Sequence, residues 1–212
     1  MVLNTGLRTD IPAFFTKWFL NRIRAGFVLT RNPYNPLQVT RYRLDPEVVD
    51  VLVFGTKNPL PLVAHLGELK AFHMYWFVTV NPYGPRLEPR VPPAEKVFAG
   101  MRALAQKLGA QAVCWRYSPV IVNDEYSIAW HKEQFERLAS LADGCCESCM
   151  IAFLDLYGKT VRNFPEGRLV TPEEKASIGA DLNRSRRRTG SGSSAAMRIR
   201  VLQSTALTFQ AA

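Results

Sequence analysis

Four apolar runs of strand length each end in residues that can hold or transfer charge. Asp50 to Phe54 leads into Thr56-Lys57-Asn58-Pro59, and Gln111 to Cys114 leads into Trp115-Arg116-Tyr117. Met150 to Leu154 leads into Asp155, Tyr157 and Lys159, and His73 to Val78 into Thr79-Val80-Asn81-Pro82-Tyr83. Lys57, with Asn58 beside it, is a cation suited to a phosphate or carboxylate; the competing reading is a solvated loop lysine. Arg116, between two aromatics, suits bidentate anion binding or stacking on a base, against a structural ion pair with Asp155. Asp155 is the candidate catalytic group, as a base or a contact to a ligand hydroxyl, against a salt bridge. Tyr157 and Lys159 join it as candidate ligand contacts. Near the N-terminus, Arg8 has no neighbour in sequence that needs an arginine. Asp10 either binds ligand or caps the helix that follows.

Other chemistries are poorly represented. His131 shares a helical face with Ile128, Phe135 and Leu138, which reads as a core or border histidine, and His65 and His73 lack metal-ligand spacing. There is no glycine-rich phosphate loop, HExxH or GxSxG string. The cysteines are Cys114, Cys145, Cys146 and Cys149. Cys146-x-x-Cys149 is a lone pair without a second pair or a histidine near it, so no metal site is predicted. Cys149 reads as opening a buried strand, with Cys145 and Cys146 in the loop before it.

These residues need elements to position them. Between the apolar runs lie stretches of helical spacing, and that alternation predicts a parallel βα sheet with ligands at the carboxyl ends of its strands. Met1-Val2-Leu3 predicts a first strand. Pro12 opens a helix carrying Phe14, Phe15, Trp18, Phe19 and Ile23, and Gly26 ends it. Phe27 to Thr30 predicts a strand, Arg31-Asn32-Pro33-Tyr34-Asn35-Pro36 a rigid turn, and Gln38 to Arg43 an exposed strand or hairpin arm. Helices are predicted over 60–69, from Pro93 to Gly109, from Ser127 to about Leu141, and from Thr171-Pro172-Glu173-Glu174 onward. The expected fold class is α/β: a partial (β/α) TIM-like barrel of about six parallel strands with interleaved helices.

At 212 residues, with 47% hydrophobic and 21% charged residues, the chain can bury one real core. No apolar stretch approaches the roughly 20 residues that span a bilayer, so no membrane partner is predicted. Arg8, Asp10 and Lys17 in the first twenty residues argue against a secretory leader, and the expected location is cytoplasmic. Formal net charge is +9, but residues 183–212 hold six arginines and no acidic residue or lysine, so subtracting them leaves +3 for residues 1–182. The expected division is therefore a barrel-like domain over 1–182 and an Arg/Ser/Gly-rich tail over 183–212. Two readings of the tail compete: a disordered basic extension, or translation in a shifted frame that truncates the domain. Nucleic acid is expected as a partner only through this tail.

Several strings together carry a resemblance. Leu7-Arg8-Thr9-Asp10-Ile11-Pro12-Ala13-Phe14, Arg31-Asn32-Pro33-x-Asn35-Pro36, Thr56-Lys57-Asn58-Pro59, Trp115-Arg116-Tyr117-x-Pro119 and Phe153-x-Asp155-x-Tyr157 resemble the bacterial family of unknown function DUF1848. The resemblance covers about residues 1–182 and implies a βα-barrel of radical-SAM type. It also implies a C-terminal cysteine cluster for a [4Fe–4S] centre, with S-adenosylmethionine, in an intact member. Here no cysteine follows Cys149, so no cofactor is expected in this chain. Leu7, Gly55, Ser118 and Ala152 also depart from the family pattern, which has Arg, an aromatic, Asp and Ser at those places.

Two functional expectations follow. The first is an enzyme-derived barrel whose parent activity is radical-SAM-like iron–sulfur chemistry, impaired here, with Arg8, Lys57, Arg116 and Asp155 lining the mouth. The second is a non-catalytic module that binds a small anionic or nucleotide ligand and carries a basic tail.

Overall fold

The computed structural model describes residues 1–6, 8–189 and 197–202. The chain divides into two compact units, Met1–Val78 and Thr79–Ala212. Six of the described strands pair in parallel, three in each unit, with helices between them, so the fold is α/β.

The first unit contains β1 (Val2–Asn4), α1 (Ile11–Phe14), α2 (Thr16–Ala25), β2 (Phe27–Arg31), β3 (Val39–Arg43), β4 (Val51–Thr56), α3 (Leu60–Val63) and β5 (Met74–Thr79). β4 pairs in parallel with β1 on one side and β5 on the other. Its unbroken apolar run is what a parallel strand covered on both faces requires. Leu52 and Phe54 are fully buried. Phe54 stacks on Trp76 at 4.4 Å between centroids and meets Phe19 of α2 edge-on at 5.5 Å. The helix predicted from Pro12 is two helices, because Phe15 leaves helical geometry at φ −128°. Gly26 closes α2 in the left-handed conformation, as its position predicts. The helix predicted over 60–69 is likewise split, into α3 and a 3-10 turn at Leu66–Leu69. β2 and β3 form a separate antiparallel hairpin.

Just after β1, Gly6 lies against the backbone of Gly55 in β4. A Cβ at Gly6 would stand 3.0 Å from the Gly55 nitrogen and 3.1 Å from its Cα. Gly6→Ala is therefore expected to cost about 1–3 kcal/mol by forcing the two backbones apart, measured by urea unfolding against wild type. A Cβ at Gly55 itself meets only the Gly6 Cα, at 3.8 Å. The site thus has no steric need for its own glycine.

The second unit contains α4 (Ala94–Leu108), β6 (Val113–Val120), α5 (Ile128–Ala142), β7 (Ser148–Phe153), α6 (Gly158–Asn163), α7 (Pro172–Thr189) and β8 (Arg198–Leu202). β7 pairs in parallel with β6 and β8. Trp115 stacks on Phe135 of α5 at 4.9 Å and meets Phe98 of α4 edge-on at 5.7 Å, which locates the core on the helix-facing side of β6. Ser127 caps α5 by accepting from the Trp130 amide. α7 opens with a capping box: the Thr171 amide donates to Glu174 Oε2 at 2.9 Å and the Glu174 amide to Thr171 Oγ1 at 3.3 Å.

Part of the stretch set apart as a tail from residue 183 takes regular structure. α7 continues through Thr189, and Arg198–Leu202 forms β8. The reason is a short period-2 pattern. Ile199 and Val201 sit beside Cys149 and Ile151, while Arg198 and Arg200 sit beside Ser148 and Met150 on the other face. Residues 190–196 and 203–212 of that stretch lie outside the described residues. Among the described residues no helix is long and apolar enough to cross a membrane.

Candidate functional site

In the first unit, the strings Arg8-to-Asp10 and Lys57-to-Asn58 meet. The loop after β1 carries Asp10, whose two carboxylate oxygens are both used. Oδ1 accepts from the Ala13 amide at 3.0 Å and caps α1, and Oδ2 accepts from the Lys57 amide at 2.7 Å. Asp10 thus fixes the exit of β4, where Lys57 is half-buried. Asn58 shapes the same exit: its amide donates to Thr56 Oγ1 and its Oδ1 accepts from the Leu60 amide. Arg8 is exposed and donates from Nη1 to the Arg31 carbonyl at 3.1 Å, toward the hairpin.

In the second unit, β6 presents two faces. Trp115 and Tyr117 point to the helices, so Cys114, Arg116 and Ser118 lie on the opposite face. Arg116 is half-buried, and its Nε has no hydrogen-bond partner among the described residues. Burial pushes its guanidinium below the ordinary arginine pKa. Through the β6–β7–β8 register, Arg116, Met150 and Arg200 form one row on that face, and Cys114, Ser148 and Arg198 the row before it. Asp155 follows β7 and accepts from Tyr157 Oη at 3.3 Å. Tyr157 precedes α6 and is exposed, as is Lys159 within that helix.

The end of β6 is held by Asn81 and Tyr83, which the sequence shows only as polar residues after an apolar run, and by His131. The Asn81 side chain clamps Ser118, accepting from its amide at 3.0 Å and donating to its carbonyl at 2.9 Å. Tyr83 Oη donates to the Pro119 carbonyl at 2.6 Å and accepts from the Ile121 amide at 2.9 Å. His131 is fully buried, with Nε2 2.7 Å from the Ile121 carbonyl and Nδ1 2.7 Å from Tyr117 Oη. A carbonyl only accepts, so Nε2 carries the proton and Nδ1 accepts from the tyrosine. Burial lowers the His131 pKa and raises those of Tyr83 and Tyr117, so the network is neutral at neutral pH. The motif Asn81-Pro82-Tyr83-Gly84 was visible in sequence, but its partners lie 36 to 38 residues away.

The cysteines sit elsewhere. Cys114 and Cys149 are the second residues of β6 and β7, at the strands' amino ends, with Cys145 and Cys146 in the loop before β7. All four are buried. Burial pushes Cys146 up to about 12 and raises Cys145 and Cys149 as well. The Cys145 sulfur lies against the Phe98, Leu141 and Asp143 carbonyls, whereas that of Cys146 faces Met197 Sδ at 3.8 Å. An iron–sulfur centre needs thiolates, and burial instead favours the thiol form of Cys145, Cys146 and Cys149, which does not fit one. Among the described residues no group of three or more His, Cys, Asp or Glu is placed to hold a metal. A cavity of about 410 Å³ lined by Arg86, Asn123, Asp124, Glu125, Glu166 and Arg168 is a separate feature. Its two arginines are already paired with Glu125 and Glu174.

The architecture is similar to solved structures. The chain matches spore photoproduct lyase complexed with dinucleoside spore photoproduct over 95% of its length, with a TM-score of 0.55 and 13% identity, covering 60% of that chain. A cysteine-to-alanine mutant of the same lyase gives 0.57 at 13% identity, again over 95% of this chain and 60% of that one. A tyrosine-to-phenylalanine mutant gives 0.55 at 14%, over 97% and 61%. At these identities the likeness establishes the fold, an α/β partial barrel, and the chain spans about three fifths of the length of those structures. No curated protein matches the sequence significantly. The family described as a domain of unknown function (DUF1848) matches residues 2–201, and the chain belongs to that family.

Proposed function

We propose that this chain binds a small phosphate- or carboxylate-bearing ligand of nucleotide type on the face of β6–β8 that carries Arg116. The observation that carries the reading is the buried, unpartnered Nε of Arg116 on a guanidinium that burial already disfavours. A half-buried guanidinium whose buried Nε–H makes no hydrogen bond costs free energy, and a bound anion offsets it with charge-assisted hydrogen bonds. Arg200, two strands away in the same row, offers a second cation for a ligand with more than one charge. Met150 between them gives an apolar surface on which a base can lie. Asp155, beyond the end of β7, supplies a carboxylate for a ribose hydroxyl. Support for the nucleotide class comes also from the fold neighbour, whose structure holds a dinucleoside ligand.

The family's suggested radical chemistry with S-adenosylmethionine and a [4Fe–4S] centre is not routed through this chain's own residues, because its cysteines do not fit the cluster. Arg116 and Asp155 would serve such an activity as ligand contacts.

The test is a thermal-shift series with adenosine, AMP, ATP and inorganic phosphate. The expected result is stabilisation that rises from AMP to ATP and is absent with adenosine. Equal shifts with adenosine and ATP, or none with any of the four, would overturn the anion-site reading.

A further inference from the structure

We infer that the β2–β3 hairpin is a nucleic-acid docking element, distinct from the Arg116 face. All five residues of β3 are exposed, and the hairpin forms its own two-stranded sheet. Antiparallel pairing places Phe27, Leu29, Arg31, Val39, Arg41 and Arg43 on one face. Leu29 and Val39 on that face are 56% and 50% exposed. The segment from Phe27 to Leu44 contains three arginines and no carboxylate. Arg8 adds a fourth cation at the tip-proximal end through its bond to the Arg31 carbonyl. Arg43 is held by Asp45 at 2.8 Å, which leaves Arg8, Arg31 and Arg41 as the cationic line. Arg41 lies over the Phe27 ring at 4.4 Å, so its guanidinium has a fixed platform.

The tip is built to present apolar side chains to an occupant. Tyr34 and Leu37 are 95% and 94% exposed, the least covered large hydrophobics of the described residues. Their backbone is nonetheless rigid. Asn32 Oδ1 accepts from the Tyr34 amide, Asn35 Oδ1 from the Leu37 amide, and the Asn32 and Gln38 side chains bond at 2.6 Å. Pro33 and Pro36 restrict the remaining freedom. A preorganised loop holding a tyrosine and a leucine in water has already met the ordering cost of binding.

The composition selects the occupant. A second copy of the chain would bring arginines against arginines. A polyanion meets the cationic line, and a nucleic acid also offers bases for Tyr34 to stack on. A two-stranded ribbon has the width of the major groove.

The experiment is fluorescence anisotropy of the full chain with a labelled duplex and the matching single strand, across a salt series. Three variants are compared with wild type: R31Q/R41Q, Y34A/L37A, and R186Q/R187Q/R188Q in the C-terminal arginine run. All four hairpin and tip positions are exposed, and circular dichroism melts confirm that each variant folds. The inference expects R31Q/R41Q to weaken binding about tenfold or more and to lower the log–log salt slope by about 2, one per arginine. It expects Y34A/L37A to weaken binding with the slope unchanged. Binding that survives both hairpin variants and is lost in the C-terminal variant would overturn it, as would absence of binding at low salt. So would a hairpin-dependent self-association seen by sedimentation, which would assign the surface to a second copy.

Discussion

His131→Leu is expected to lower stability at neutral pH by about 2–5 kcal/mol, because it strips a donor from the Ile121 carbonyl and an acceptor from Tyr117 Oη in a buried site. Each orphaned group carries a desolvation penalty of about 1–3 kcal/mol. His131→Gln is expected to lose much less, since an amide offers one acceptor and one donor. The histidine also makes the fold acid-sensitive. Burial depresses its folded-state pKa below the ordinary value of 6.5, so the folded protein keeps it neutral while the unfolded chain takes up a proton. The unfolded state then binds more protons, and stability falls as pH drops below about 6.5. Its contribution is fully present above that value and is lost progressively toward the lower folded pKa. Urea midpoints of wild type and H131Q at pH 7.5 and pH 5.5 measure this directly. A larger acid loss in wild type than in H131Q is the expected result; equal losses would remove His131 as the cause.

How much of this was legible in sequence depends on the range of the interaction. β4, β5, β6 and β7 announced themselves as apolar runs, because a parallel strand covered on both faces needs side chains of one kind over a few consecutive residues. The placement of Lys57 and Asp155 just beyond strand ends followed from those runs, whereas Arg116, expected at a strand end, lies inside β6 because that strand continues to Val120. The core position of His131 followed from helical spacing with Phe135 and Leu138. The Asn81–Ser118 clamp and the Tyr83–Pro119 bond could not be read. They join the segment after β5 to β6, dozens of residues away, and nothing in Asn-Pro-Tyr-Gly distinguishes a turn from a turn that reaches across to another strand. β8 was missed for a different reason. Its alternation of arginine with isoleucine and valine spans only five residues inside an arginine-rich stretch, and composition outweighed a period-2 signal that short. The two roles of Asp10 show the same limit: the cap to Ala13 is local and was foreseen, whereas the bond to the Lys57 amide is not local and was not.

Arg116→Met separates stability from binding in opposite directions. Methionine replaces the apolar stem of arginine, ends where Nε stands and removes the charge, so the unpartnered buried Nε disappears. Replacing buried charge by an apolar side chain of similar size is often neutral or stabilising, and here a gain on the order of 1 kcal/mol is expected in the ligand-free protein. The same change removes the charge-assisted hydrogen bonds to an anion, worth about 1.5–3 kcal/mol, or roughly tenfold to a hundredfold in affinity for ATP. Arg116→Lys keeps the charge but loses the planar fork, so it is expected to fall between wild type and R116M in binding without the gain in stability. Calorimetric titration with ATP and urea unfolding without ligand, on the same three proteins, give both quantities. A residue that served packing alone would lose stability as methionine and leave binding unmoved. The opposite pairing, tighter folding with weaker binding, is what a cation held ready for an absent anion produces, and it places the cost of the site in the free protein.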